Sequence, residues 1–95
     1  MDVIKVSSVT GAGELANVIF KSMSREGKVQ LRAIGAAAIN QAVKAIAISR
    51  INFVPYGADV ICAPWFSDVY IDHKLKTAIT FCVELRWPDE AASAA

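Results

Sequence analysis

The run TAITFCVELRW, Thr77–Trp87, sets Ile79, Phe81, Val83 and Leu85 on one side and Thr80, Cys82, Glu84 and Arg86 on the other. A strand turns successive side chains to opposite faces, so this run has one apolar face and one polar face. Lys28–Ile34 repeats the pattern, with Val29, Leu31 and Ala33 against Lys28, Gln30 and Arg32. Strands of this kind do not fit a sheet buried on both sides. They predict a sheet covered on one face and wet on the other.

The rest of the chain supplies the cover. Val3–Ser7 alternates, with Ile4 and Val6 on one side and Val3, Lys5 and Ser7 on the other. From Gly13 to about Glu26, Leu15, Val18, Ile19, Ser22 and Met23 recur at helical spacing, and Gly27 ends the run as a C-cap glycine does. Ala36 to about Ile51 is alanine-rich and predicts a second helix, with Ile39, Ala42, Val43 and Ile46 as its core stripe. Pro55, Tyr56 and Gly57 read as a turn. Ala58–Phe66 reads as an apolar strand, with Val69–Ile71 as its continuation, and Asp72, His73 and Lys74 as a hairpin turn. Pro88 stops the last strand. Residues 1–88 then form a single domain and 89–95 a loose tail. The order is β-α-β-α-β-β. It predicts a two-layer α/β sandwich: a four-stranded mixed sheet with both helices on one face. Lys5, Gln30, Arg32, Thr80, Glu84 and Arg86 would line the open face.

Composition narrows the function. With 95 residues, 55% hydrophobic and 20% charged, the chain has enough apolar side chains for a core and is not a disordered segment. A net charge of +1 argues against electrostatic binding by the whole surface. Cys62, Cys82 and His73 have no metal-ligand spacing, so neither a zinc site nor a disulfide framework nor a cofactor is expected. The N-terminus MDVIKVSS has no basic n-region, and no apolar run reaches the ~18 residues of a membrane span. A soluble cytoplasmic protein without a membrane partner is expected. No serine or cysteine has an identifiable base, and Asp59, Asp68 and Asp72 have no evident partner acid, so the chain does not read as an enzyme.

Thr10–Phe20, TGAGELANVIF, carries a G-x-G-x-x-A outline at Gly11, Gly13 and Ala16. A dinucleotide site of this type needs an acidic residue ~20 positions further on. That region holds Leu31–Ala36 and no carboxylate, and Ser8–Thr10 separate the strand from the first glycine. The glycines therefore read as a flexible loop between the first strand and first helix. The helix N-terminus beyond them could meet one phosphate.

The block RAIGAAAINQAVKAIAISR, Arg32–Arg50, is more specific. With the opening VIKVSS, the Gly57–Pro64 segment GADVICAP, TAI and VEL, it resembles the stage V sporulation protein S family over nearly the whole chain. The resemblance implies an Alba-like domain, and Alba proteins are dimeric nucleic-acid binders. AAINQAV is similar to the Alba stretch RAISKAV, but Ala37 and Gln41 stand where Alba proteins carry arginine and lysine. The loop SSVTGAG likewise lacks the basic residues of Alba proteins.

The candidate contacts follow. Asn40, Gln41 and Lys44 form a polar edge of the second helix, suited to phosphate oxygens, and Gly35 could let a ligand backbone approach. His73, Lys74 and Lys76 cluster at the hairpin, the arm that the resemblance implies reaches nucleic acid. Arg32 adds a cation on the sheet. Trp65 and Phe66, or Tyr70, could stack on bases if exposed, but packing in the core or against another subunit is the favoured reading, since aromatic side chains are usually buried. Phe20, Ile48 and Ile51 lie off their helices' core stripes, which suggests either helix–helix contact or a homodimer or higher oligomer surface. The expected function is non-catalytic, regulatory and sporulation-linked: weak, largely sequence-independent binding of DNA or RNA by a dimer. The alternative is a protein-interaction module of the same fold.

Overall fold

A computed structural model of the chain describes residues 3–88; the tail expected at 89–95 lies outside them. The elements are β1 (Val3–Val6), α1 (Ala12–Glu26), β2 (Lys28–Ala33), α2 (Ala36–Phe53), a 3-10 turn (Val54–Tyr56), β3 (Asp59–Ile71) and β4 (Lys74–Arg86). The sheet order is β1-β2-β4-β3. β1 and β2 run parallel; β2–β4 and β3–β4 are antiparallel, so the sheet is mixed as expected.

The alternation places the core on one face. Val6, Val29, Leu31, Ala33, Phe81 and Val83 are buried together with Leu15, Ala16, Ile19 and Met23 of α1 and Ala38, Ala42 and Ala45 of α2. Both helices therefore cover the same side of the sheet. Gly27 takes the left-handed conformation, and its N–H bonds the carbonyl oxygen of Met23, which stops α1 as the sequence indicates.

Four local expectations are corrected. The buried face of α2 is Ala38, Ala42, Ala45, Ser49 and Phe53, not the Ile39–Val43–Ile46 stripe. Small side chains face the most crowded contact, while Ile39 and Ile46 flank it half-buried and Val43 is exposed. Ser49 is fully buried and satisfies its hydroxyl by donating to the carbonyl oxygen of Ala45 at 2.8 Å. On α1, Val18 is exposed and Ala16 takes its place in the core. β3 continues through Ser67 and Asp68 to Ile71 as expected, but Lys74 is not part of the turn: β4 begins there, paired with Ile71. The turn is thus the two residues Asp72 and His73, both at positive φ (52° and 64°). Two left-handed central residues are the signature of a type I′ hairpin, whose twist matches its strands. Finally, Thr80 is buried although it points to the open face: it lies between Arg32 and Trp65 in register and shares a 2.7 Å hydrogen bond with the Ser67 hydroxyl.

The loop before α1 is pinned rather than loose. The Ser7 amide donates to Thr10 Oγ1 at 2.9 Å, and the Thr10 amide donates to the Ser7 carbonyl at 3.2 Å. Gln41 Nε2 donates to the Thr10 carbonyl at 2.7 Å.

Candidate nucleic-acid interface

Register decides which charges share a surface. Lys5 lies opposite Arg32, Arg32 opposite Thr80, and Thr80 opposite Trp65, so one row crosses all four strands on the face away from the helices. By the same alternation Lys28, Lys74, Lys76 and Arg86 point to that face. These six residues, with Lys5 and Arg32 counted among them, come from a total of ten Lys and Arg. Among the described residues only Glu84 and Asp59 oppose them there by register. A nearly neutral chain is therefore polarised, and its sheet face is basic.

The acids of that face sit at one end. Asp59 accepts from Arg50 Nε at 2.8 Å and from Arg86 Nη2 at 3.4 Å. The Arg50 hydrogen bond, then that of the Val60 amide, holds the Asp59 carboxyl below its ordinary value. Glu84 lies opposite Lys28 in register. The other end carries Lys5, Arg32, Lys74 and Lys76, with Asp72 in the turn as the nearest carboxylate by sequence.

At that end the hairpin twists over the sheet. Val69, Tyr70 and Ile71 belong to β3, two places from β2 in the sheet, yet they line one cavity of about 300 Å³ with Lys5, Val6, Arg32 and Ile34. Strand twist accumulating along a long hairpin brings them there. Arg32 Nε is buried and has no hydrogen-bond partner among the described residues. A second cavity of similar size, lined by Phe20, Ser24, Phe53, Tyr56, Leu85 and Trp87, has no charged group in its wall.

The residues singled out from sequence divide between the two layers. Arg32, Lys74 and Lys76 share the open face. His73 occupies the turn beside them. Asn40 and Lys44 are exposed on α2, in the opposite layer. Gly35 joins β2 to α2 at φ 87°, ψ 156°, with open space where a Cβ would stand. Gln41 is half-buried and engaged with Thr10. Lys5 stands in register with Arg32 on that open face. Phe20 is half-buried against Phe53 and Tyr56, with ring centroids 4.7 and 5.9 Å away. Ile48 is half-buried against the core, and Ile51 is 69% exposed. Trp65, Phe66 and Tyr70 are all exposed, so the core packing expected for them is not found.

Desolvation pushes the Cys62 thiol up, away from the reactive thiolate. Among the described residues no group of three His, Cys, Asp or Glu side chains could hold a metal ion. No helix among them is long and apolar enough to cross a membrane.

The family model described as stage V sporulation protein S (SpoVS) matches residues 2–86. The chain belongs to the SpoVS family. Membership links it to the stage of sporulation for which the family is described. Among solved structures, Alba from Thermoplasma volcanium is similar, with a TM-score of 0.59 and 16% identity over 88% of this chain and 98% of that one. At that identity the likeness establishes the fold, which is Alba-like, and not the binding function.

Proposed function

We propose that this SpoVS-family protein is a non-catalytic nucleic-acid binder acting in sporulation, and that it grips the phosphate backbone as a dimer. The observation that carries this reading is the uneven charge: Lys5, Arg32, Lys74 and Lys76 share the end of the open face remote from Asp59 and Glu84. Cations aligned along a surface meet phosphates without reading sequence. Asn40 and Lys44, on the helix layer, are a separate and weaker contact point in this reading. Gly35 and His73 border the two contact regions, and Gln41 acts through the loop it holds. Dimerisation would double the basic surface and add avidity. Exposed Val43 and Ile51 lie on one side of α2 and suit such a contact, with Phe20 and Ile48 packed behind.

The test is fluorescence anisotropy with labelled DNA and RNA across a salt series. A dimer that neutralises about four to six phosphates should give a slope of log K against log salt near −4 to −5. Absence of binding to either polymer at low salt, with the dimer intact, favours the alternative. In that case exposed Val43, Ile51 and Phe66 would mark a protein-interaction module.

A further inference from the structure

At the hairpin end of the open face, two cations stand beside three aliphatic side chains. Lys5 and Arg32 are cross-strand neighbours, and Ile34, Val69 and Ile71 line the same cavity of about 300 Å³. Val69 and Ile71 lie opposite Lys76 and Lys74 in register, so alternation turns them to this face. Tyr70, between them, turns its ring to the other side of the sheet, which leaves the wall aliphatic. Ile34 and Val69 are half-buried here, although both helices cover the opposite face.

Arg32 Nε is buried without a hydrogen-bond partner among the described residues. A buried donor costs stability until an acceptor reaches it. An anion suits it, because Lys5 stands beside it and Asp59 and Glu84 lie at the far end of the sheet. A planar carboxylate matches a guanidinium well, since it accepts two parallel N–H bonds. The aliphatic wall then calls for a hydrocarbon body directly behind the carboxylate. A phosphodiester has no such body, because polar sugars flank its phosphate. We propose that this cavity binds a short, branched aliphatic carboxylate, charged end on Arg32 and Lys5 and hydrocarbon against Ile34, Val69 and Ile71. The volume lies at the lower end of the range for small-ligand pockets, which suits a small acid. Binding occupies two of the sheet's cations. The acid should therefore compete with phosphates and lower nucleic-acid affinity, a step that rests on the proposed function.

The probe is isovalerate, titrated into the intact protein and followed by methyl resonances. Those of Ile34, Val69 and Ile71 should shift and saturate. Isovaleramide keeps the body without the charge, and acetate keeps the charge with almost no body; each should bind about ten-fold more weakly or worse. Arg32→Gln should abolish the shifts. Lys5→Gln, at an exposed position outside the core, should weaken binding by about three-fold, and so should Ile71→Ser, at a side chain 44% exposed. Isovalerate should also displace a labelled DNA strand more readily than acetate at equal ionic strength. If no methyl shifts, if isovaleramide binds as tightly as isovalerate, or if Arg32→Gln and Lys5→Gln both leave binding unchanged, the cavity is not a carboxylate site. Salt-dependent binding of DNA or RNA would in that case still leave the proposed function standing. If isovalerate binds through Arg32 and Lys5 while no polymer binds at low salt, the carboxylate site stands and the proposed function falls. If the polymer binds equally well with isovalerate in place, the competition is overturned and the phosphate track avoids this cavity.

Discussion

Gln41 Nε2 reaches the carbonyl oxygen of Thr10 at 2.7 Å and ties α2 to the loop that starts α1. The contact spans 31 residues of sequence and is part-buried. It gives the loop a tertiary anchor in addition to its local Ser7–Thr10 bonds. Gln41→Ala should cost about 1 kcal/mol, the net value of one such bond with an acceptor left behind. Urea denaturation should show the loss, and amide exchange should accelerate at residues 8–12. The salt slope of nucleic-acid binding should not change, because no charge is removed.

Gly35 carries a second constraint, from the backbone alone. At φ 87° and ψ 156° it lies where side-chain-bearing residues rarely sit, although no atom within 4 Å would meet an added Cβ. Gly35→Ala should therefore destabilise by roughly 1–3 kcal/mol through strain. The urea midpoint should fall with the m-value unchanged. A neutral substitution would show that the β2–α2 junction relaxes to another conformation.

The sheet was legible because its information is local. The alternation in Lys28–Ala33 and Thr77–Arg86 assigned faces, and Gly27 marked the end of α1. The buried side of α2 was not, because Ala38, Ala42, Ala45 and Ser49 are less apolar than the isoleucines that flank them. Close approach of two layers selects small size over hydrophobicity there. The candidate site was half legible for a similar reason. Lys74, Lys76 and Arg32 were identifiable as cations, but their common face with Lys5 depends on strand order and register. Gln41 looked like a surface amide because its partner is 31 positions away.

Asp59 links stability to pH. Its carboxyl is held below the ordinary 3.8, first by the Arg50 hydrogen bond. A depressed carboxylate pKa stabilises the fold above the unfolded value, and the contribution is lost as pH falls through the lower folded value. Stability should thus decline below pH 3.8 partly through this group. Asp59→Asn should flatten that acid limb in thermal melts. Both arginines are more than half exposed, so high salt should shrink the difference between the two proteins.

The two layers separate in the salt dependence of binding. Lys74 belongs to the open face and Lys44 to α2. Lys74→Ala removes two cations from a dimer, so the slope should fall by about 2. Lys44→Ala should lower the slope less if the open face carries the polymer. An equal loss from both would mean that the phosphate track crosses from the sheet to the helices. No loss from Lys74→Ala would remove the hairpin from the interface.

Assembly is best tested at Ile51. Ile48 is half-buried against the monomer's own core, so Ile48→Asp would place a charge among apolar neighbours and threaten folding itself. Ile51 is 69% exposed, and Ile51→Asp leaves the isolated subunit's core untouched. In a dimer built on this side of α2 the same aspartate would be buried without a partner, at a cost of about 3–5 kcal/mol. Sedimentation velocity should show the wild type as a dimer at micromolar concentration and Ile51→Asp as a monomer with an unchanged circular dichroism spectrum. The monomer should also bind nucleic acid with roughly half the salt slope, because it carries half the cations. A wild type that remains monomeric at high micromolar concentration would remove the dimer from the mechanism. An Ile51→Asp protein that remains dimeric would move the interface away from this side of α2.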